Sequence, residues 1–224
     1  MRTTELRLSV EGMQTVSALW QLPAKARAVL VLAHGAGAGM THPSMVAIAD
    51  GLAARQIASL RYQFPYMERQ NRRVDSPAVA HAAVRAAVGE GSRRARKLPL
   101  FAGGKSFGGR MTSQAQAIGP LPSIRGLVLF GFPLHPAGEP SDARAAHLAD
   151  IAIPMLFLQG TRDALADVAL ITRTIRTLGK LATLELFKDA DHSFHVPRST
   201  GRTDAEVLAA VLDRAAEWIL AVAG

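Results

Sequence analysis

Apolar and polar side chains alternate near the start of the chain, over residues 6–10 and again over residues 16–22. Glu11 and Gly12 separate the two runs. Alternation with a period of two places every second side chain on one face of a strand, and a short turn segment between two such runs is typical of a hairpin. We therefore predict that the fold opens with an antiparallel pair of strands.

Later apolar runs are continuous instead of alternating. Continuous runs are typical of parallel strands whose two faces are both covered by helices. Residues 57–60 are a weak example of this pattern, and four segments show it clearly: 28–33, 98–102, 126–130 and 154–158.

Helical periodicity fills the intervals between these strands. Apolar residues over 45–52 recur at helical spacing, Ser76 and Pro77 are typical of a helix start, and Thr203 and Glu206 have capping-box spacing before the last apolar stripe. No repeat, linker or low-complexity tract divides the chain. Strands that alternate with helices after an antiparallel start predict one α/β domain over residues 1–224, with a mostly parallel sheet.

Composition narrows the class of protein. Hydrophobic residues make up 49% of the 224 residues, which excludes a disordered chain. No uncharged apolar run approaches the roughly 20 residues of a membrane span, so we expect no membrane association. The absence of cysteine excludes thiolate nucleophiles and cysteine metal sites. The segment from Met1 to Leu6 lacks the apolar core of a secretory signal and predicts a cytoplasmic protein.

The formal net charge is +8, which raises the question of a polyanionic partner. The basic residues are dispersed, and the one dense run, residues 93–97, contains no aromatic side chain. We interpret this run as a solvated helix end or loop and expect no nucleic-acid partner. Nucleic-acid binding through the run is the last-ranked alternative, and it predicts binding that weakens steeply with salt.

Gly104, Ser106 and Gly108 form a G-x-S-x-G motif between the predicted strand 98–102 and a helix-compatible stretch over 110–117. A strained turn between strand and helix lifts a serine above the sheet, and the chain then passes so close to itself that the flanking positions must lack bulky side chains. The motif therefore predicts a nucleophilic serine at position 106.

Two other interpretations apply to this segment. Gly104, Lys105 and Ser106 also spell the end of a phosphate-binding loop, but that motif needs another glycine five residues earlier, where Pro99 stands. A glycine-rich turn with an idle serine is the second alternative.

The first buried strand ends in the sequence H-G-A-G-A-G, which begins at His34. A dinucleotide-binding loop would need a third glycine where Met40 or His42 stands. The flexible loop instead suits an oxyanion hole, for which the candidate donors are the backbone N–H groups of Ala36 and Phe107. We interpret His34 as a structural histidine that holds the loop.

A serine hydroxyl needs a base that is oriented by a third group. In this architecture the acid and then the histidine follow the serine along the chain, each after a later strand. Asp163 follows the predicted strand 154–158, and His192 follows a strand predicted at 181–187. We predict that Ser106, His192 and Asp163 are the nucleophile, the base and its orienting acid.

Neighbouring residues offer alternatives to two of these assignments. His195 competes with His192, and Asp191 is a weaker candidate for the acid. Asp189 and Asp191 are more typical of turn residues. No group of His, Asp and Glu has the spacing of a metal site, and this chemistry requires no cofactor.

With these motifs, the chain resembles the α/β-hydrolase superfamily over nearly its whole length. It is most similar to the small dienelactone-hydrolase-like branch, and within it to bacterial relatives of the testis-expressed hydrolase-like protein and of a subunit of the non-specific-lethal chromatin complex. Dienelactone hydrolase itself uses a cysteine nucleophile, so its substrate does not carry over to this chain. The motifs that carry the resemblance lie at residues 34–37, 104–109, 130–135, 159–163 and 191–194.

The resemblance implies an eight-stranded sheet, and the chain length leaves little room for a cap domain. The longer connections, residues 64–75 and 131–142, are expected to form a shallow rim that admits small or exposed acyl groups. The predicted substrate-pocket residues are Met40, Phe132, Leu134 and His135.

These observations predict a serine hydrolase that cleaves an ester or related acyl bond of a small molecule through an acyl-enzyme. Ester, thioester and amide substrates use the same apparatus, and the sequence does not choose among them. A non-catalytic hydrolase-fold scaffold or binding protein is the alternative. The oligomeric state is left open.

Overall fold

A computed structural model describes residues 2–11 and 15–224 of the chain. Gly12, part of the predicted hairpin turn, lies outside the described residues. The described residues form one sheet of eight strands: β1 (Arg2–Ser9), β2 (Thr15–Leu22), β3 (Ala28–Ala33), β4 (Ile57–Tyr62), β5 (Leu100–Lys105), β6 (Ile124–Phe130), β7 (Met155–Gly160) and β8 (Ala182–Phe187).

The strands lie in the order β1-β2-β4-β3-β5-β6-β7-β8. β1 and β2 pair antiparallel with Leu8 opposite Val16, which confirms the predicted hairpin. β2 pairs antiparallel with β4, and all later pairs are parallel. Every residue of β3, β4, β5 and β7 is buried, as expected for strands covered on both faces.

Among the described residues, six α-helices and three 3-10 segments connect or follow the strands. The helices are α1 (Pro43–Ala54), α2 (Pro65–Glu68), α3 (Pro77–Ala95), α4 (Phe107–Ile118), α5 (Val168–Thr177) and α6 (Asp204–Ala223), and the 3-10 segments are Ala143–Asp150, Gly179–Leu181 and Arg198–Thr200. Apolar residues of α1 and α6 pack into the core on one face of the sheet, and those of α3, α4 and α5 into the core on the other. The α/β class and the covered sheet agree with the sequence prediction.

The junction between β5 and α4 is shorter than the sequence pattern predicts. β5 continues to Lys105, because its pairing with β6 extends to Lys105 opposite Phe130. α4 begins at Phe107, three residues before the predicted start at residue 110. Ser106 is therefore the only residue between the strand and the helix, at the carboxyl end of a central strand.

The basic run 93–97 starts in the last turn of α3. Arg93 and Arg94 both form ion pairs with Glu90 on the same helix, at 2.7 and 2.5 Å. Over residues 2–11 and 15–224, no helix combines the length and the apolar character that a membrane crossing requires.

Candidate active site

Ser106 occupies a strained backbone conformation at the end of β5. Its φ is 51° and its ψ is −117°, a region that costs a non-glycine residue about 1–3 kcal/mol and that must be enforced by its surroundings. The N–H of Ser106 donates to the carbonyl of Phe130 at 2.9 Å, which ties the turn to β6. The side chain is thereby lifted out of the sheet at the start of α4.

The glycines of the motif allow the chain to pass this close to itself. A Cβ at Gly104 would lie 2.4 Å from the carbonyl oxygen of Ala33, and a Cβ at Gly108 would lie 2.4 Å from that of His34. Both distances are far inside van der Waals contact, and both clashes are with backbone. The strand, the turn and the helix therefore fit together only with glycine at these two positions.

Three side chains from separate loops form a continuous chain of hydrogen bonds. Ser106 Oγ lies 2.8 Å from His192 Nε2, and His192 Nδ1 lies 2.7 Å from Asp163 Oδ2. Asp163 follows β7 and His192 follows β8, so neighbouring parallel strands bring residues from distant parts of the chain to one edge of the sheet. Ser106, His192 and Asp163 are the residues predicted as nucleophile, base and acid, and the structure brings them together.

The Asp163 carboxylate is buried, with no exposed side-chain surface, and is held from two directions. Oδ1 accepts the backbone N–H of Leu165 at 2.8 Å, and Oδ2 accepts the side-chain N–H of Gln159 as well as the ring N–H of His192. A carboxylate that accepts from Nδ1–H leaves Nε2 as the basic nitrogen. The acid thus fixes both the orientation and the tautomer of His192.

The predicted oxyanion donors are on Phe107, directly after Ser106, and on Ala36, whose chain neighbour Gly35 lies close to Ser106: a Cβ at Gly35 would be 3.8 Å from the Ser106 Cβ. Phe107 supplies the first N–H of α4, which has no partner within the helix. Ala36 is exposed on the loop after β3. Within the two described ranges, neither N–H donates a hydrogen bond, so both are available to a ligand oxygen.

His34 holds the loop after β3 through contacts with backbone groups, which is the structural role interpreted from the sequence. Its Nδ1 lies 2.8 Å from the carbonyl oxygen of Gly35, and its Nε2 accepts the N–H of Phe64 at 3.0 Å. Burial lowers the pKa of His34 to about 4, so the ring is neutral near pH 7. Both ring nitrogens are engaged with backbone, and neither is free for chemistry.

The two alternative residues have other partners. His195 Nδ1 lies 2.8 Å from Asp204 Oδ2 at the start of α6. Asp191 Oδ1 accepts the N–H groups of Ser193 and His195, which is the geometry of a turn residue.

The four predicted pocket residues do not line one common cavity. Leu134 and His135 border a cavity of about 410 Å³, and Met40 borders a different cavity of about 480 Å³ against β1 and β2. Phe132 is buried in the core, where its ring centroid lies 5.7 Å from that of Phe157. Both ring nitrogens of His135 have backbone partners, the carbonyl of Pro136 and the N–H of Asp167.

The structure also places at the site three residues that were not predicted as site residues from the sequence. Gln159 is a buried amide on the acid, and Tyr66 contacts the loop after β3 through the N–H of Gly37 at 3.3 Å. Lys105 is buried, donates from Nζ to the carbonyl of His192, and lies 5.6 Å from the ring centroid of Phe194. Polar side chains at the ends of two buried strands were the available signal for Lys105 and Gln159.

The chain is similar to known α/β hydrolases in sequence and in fold. A family model described as an alpha/beta hydrolase domain matches residues 26–220. Among solved structures, the fold is similar to dienelactone hydrolase from Anabaena variabilis ATCC 29413, with a TM-score of 0.77, 19% identity, and coverage of 98% of this chain and 97% of that chain.

Two further solved structures share the fold. One is XC6422 from Xanthomonas campestris, described as an α/β serine hydrolase without lid, with a TM-score of 0.74, 19% identity, and coverage of 97% of this chain and 95% of that chain. The other is the esterase domain of a Rhodothermus marinus protein, with a TM-score of 0.75, 15% identity and complete coverage of both chains, 100% each.

Proposed function

The chain belongs to the α/β-hydrolase family, and we propose that it is a serine hydrolase that cleaves an ester or related acyl bond through Ser106, His192 and Asp163. The observation that carries this proposal is the unbroken contact from Ser106 Oγ to His192 Nε2 and from His192 Nδ1 to Asp163, at 2.8 and 2.7 Å. A nucleophile, a base and an orienting acid within hydrogen-bond reach are the requirements for acyl transfer.

The first half of the reaction forms the acyl-enzyme. Ser106 Oγ attacks the substrate carbonyl carbon while His192 Nε2 takes the hydroxyl proton. The buried Asp163 carboxylate stabilises the imidazolium that results. The carbonyl oxygen gains negative charge, and we assign the N–H groups of Phe107 and Ala36 as the donors that stabilise it. His192 then gives its proton to the leaving group as the carbon–oxygen bond breaks.

The second half releases the acyl group. A water molecule gives a proton to His192 Nε2 and adds to the acyl carbon. His192 then returns that proton to Ser106 Oγ as the bond between Oγ and the acyl carbon breaks, which releases a carboxylic acid and free Ser106. The strained φ of Ser106 serves both halves, because it keeps Oγ outside the sheet and within reach of the base.

Hydrolysis of 4-nitrophenyl acetate and butyrate tests this proposal. Wild type should turn over both esters, and Ser106→Ala, His192→Ala and Asp163→Asn should each lower kcat by about 10³-fold or more. His195→Ala is the matched control, because His195 lies on the same loop and contacts Asp204 instead of Ser106. Equal loss in His192→Ala and His195→Ala, or full activity in Ser106→Ala, would contradict the assignment.

A further inference from the structure

The Tyr66 hydroxyl contacts the loop after β3 on both sides of Ala36. It accepts the N–H of Gly37 at 3.3 Å and donates to the carbonyl oxygen of Gly35 at 3.5 Å. Tyr66 is buried, with 1% of its surface exposed. Burial raises the pKa of Tyr66 above its usual value, so the hydroxyl keeps its proton and can donate near neutral pH.

The Gly35 carbonyl belongs to the same peptide group as the Ala36 N–H. The peptide bond between them is trans, so the C=O and the N–H lie in one plane and point in opposite directions. Any contact that fixes the direction of the carbonyl therefore fixes the direction of the Ala36 N–H as well. His34 Nδ1 is the closest partner of this carbonyl at 2.8 Å, and the Tyr66 hydroxyl and the Ala38 N–H approach it at 3.5 Å.

The second contact of Tyr66 holds the next peptide group along the chain. The Gly37 N–H belongs to the peptide between Ala36 and Gly37, so one hydroxyl contacts both of the peptide groups that flank the Ala36 Cα. The loop has little packing of its own at this point, because Gly37 is exposed and a Cβ there would meet nothing within 4 Å. The orientation of Ala36 therefore depends on contacts from outside the loop.

Tyr66 is itself anchored in the connection 64–75. Its N–H donates to Asp75 Oδ2 at 2.7 Å, and its carbonyl accepts the N–H of Asn71 at 2.8 Å. The other oxygen of Asp75 forms an ion pair with Arg69 at 2.6 Å. This connection, which we expected to form part of the substrate rim, thus supports the loop after β3.

The Tyr66 ring also contacts the residue that carries the other proposed oxyanion donor. Its centroid lies 6.3 Å from that of Phe107, with the two rings at 90°. The Phe64 ring contacts Phe107 in a similar edge-on arrangement, at 5.3 Å. Edge-to-face pairs at such separations are favourable. One group of aromatic side chains therefore packs against Phe107 and, through the Tyr66 hydroxyl, against the two neighbours of Ala36.

We propose that Tyr66 is a positioning residue for the oxyanion hole, whose hydroxyl orients the two peptide groups that flank Ala36 and so holds the Ala36 N–H in place before a substrate binds. This inference rests on the proposed hydrolase function, because an oxyanion forms only if Ser106 attacks a carbonyl. A donor that is fixed in advance costs no reorganisation when the negative charge develops. Tyr66 acts through the loop and does not touch the substrate.

Tyr66→Phe tests this role, because it removes the hydroxyl and keeps the buried ring. Both halves of the reaction pass through an oxyanion, so kcat for 4-nitrophenyl acetate should fall about tenfold while KM changes little. This loss is smaller than the roughly 10²- to 10³-fold loss expected when a donor is removed, since the Ala36 N–H is still present. Tyr62→Phe is the matched control, because Tyr62 is also buried and its ring lies 5.3 Å from that of Phe64.

A pair of ketones reports on the oxyanion hole directly. Butyl trifluoromethyl ketone is attacked by Ser106: a bond forms from Oγ to the carbonyl carbon, the carbonyl π electrons move to the oxygen, and the hydroxyl proton passes to His192. Butyl methyl ketone lacks the activating fluorines and binds as the unreacted ketone. In Tyr66→Phe, the inhibition constant of the trifluoromethyl ketone should rise by about the factor by which kcat falls, and that of the methyl ketone should not change.

Equal kcat and equal inhibition by the trifluoromethyl ketone in wild type and Tyr66→Phe would overturn the positioning role and leave the hydrolase proposal standing. A rise of both inhibition constants by the same factor, or an equal loss of kcat in Tyr62→Phe, would also overturn it, since either result indicates a general loosening of the site. Wild type that hydrolyses no 4-nitrophenyl ester and does not distinguish the two ketones would contradict the hydrolase proposal, and this inference with it.

Discussion

At the residue scale, the glycines around Ser106 show how little freedom the turn has. Gly108→Ala places a methyl group 2.4 Å from the His34 carbonyl, so strand β3 or helix α4 must shift. We expect a loss of about 1–3 kcal/mol in the free energy of unfolding, the usual range for overpacking. Urea denaturation of the variant and wild type measures this difference.

Gly89 provides the matched control for that substitution. It lies within α3, and a Cβ there meets nothing within 4 Å. Gly89→Ala should therefore stabilise the protein by about 0.5–1 kcal/mol, because alanine is the better helix former. A loss of stability in Gly89→Ala as large as that in Gly108→Ala would mean that close packing at the turn is not the cause.

A second prediction at this scale concerns Lys105, which donates a hydrogen bond to the His192 carbonyl. Burial lowers the Lys105 pKa to about 8, against the opposing effects of Asp163 and Asp191. The ammonium is present below that pH and is lost as pH rises through it, so the charge-assisted bond weakens on the alkaline side. We expect kcat/KM of wild type to fall as pH rises through about 8.

Lys105→Met should lower kcat roughly tenfold or more, since misplacement of a catalytic group is costly, and should also remove the alkaline decline. Lys188→Met is the control, because Lys188 is an exposed lysine outside the site. Retention of the full wild-type pH profile in Lys105→Met would rule out Lys105 as a group that positions His192.

At the element scale, the predictable parts are those with signals within one segment. The alternation of apolar and polar residues predicts the hairpin β1–β2, and the capping-box spacing with the following apolar stripe predicts α6. The structure contains both elements. α5 was not predicted from the sequence, although Asp167 caps it by accepting the N–H of Leu170. Only Ile171 and Ile175 of α5 are buried, so its apolar stripe is too short to stand out.

The cap of α6 gives the prediction at this scale. Thr203 Oγ1 accepts the N–H of Glu206 at 3.2 Å, and the Glu206 carboxylate accepts the N–H of Thr203 at 2.7 Å. Thr203→Ala should lower the free energy of unfolding by about 1 kcal/mol, and Thr203→Ser, which keeps the hydroxyl, should lower it by less. Equal losses in urea denaturation would show that the hydroxyl is not what stabilises the helix start.

At the scale of the whole molecule, the burial of neutral histidine makes the free energy of unfolding depend on pH. The His34 pKa is about 4 in the folded state and 6.5 in the unfolded reference, so the unfolded chain binds the proton more readily. The free energy of unfolding should therefore fall by roughly 2 kcal/mol between pH 7 and pH 5 from His34 alone. Burial also lowers the pKa of His147 to about 4, and this acts in the same direction.

His195 acts in the opposite direction, because Asp204 raises its pKa and favours the protonated folded state at acid pH. His195→Asn should therefore steepen the loss of stability between pH 7 and pH 5. Urea midpoints at the two pH values measure both effects. A wild-type midpoint that does not change over this interval would contradict a neutral, buried His34.

The fold and the site also differ in how far the sequence could predict them. The order Ser106, Asp163 and His192 follows from the topology, since each residue comes after a parallel strand and all such ends meet at one edge. The lining of the substrate pocket could not be predicted in this way, because the burial of Phe132 and His135 depends on contacts with residues far along the chain, such as Asp167.

Intact-mass labelling with a fluorophosphonate tests the central claim most directly, since the probe reports an activated serine and requires no knowledge of the substrate. Wild type should gain the mass of one phosphonyl group, and Ser106→Ala and His192→Ala should gain none under the same conditions. Folded wild type that remains unlabelled, or label that persists in Ser106→Ala, would contradict the account and favour a hydrolase-fold scaffold or a different nucleophile.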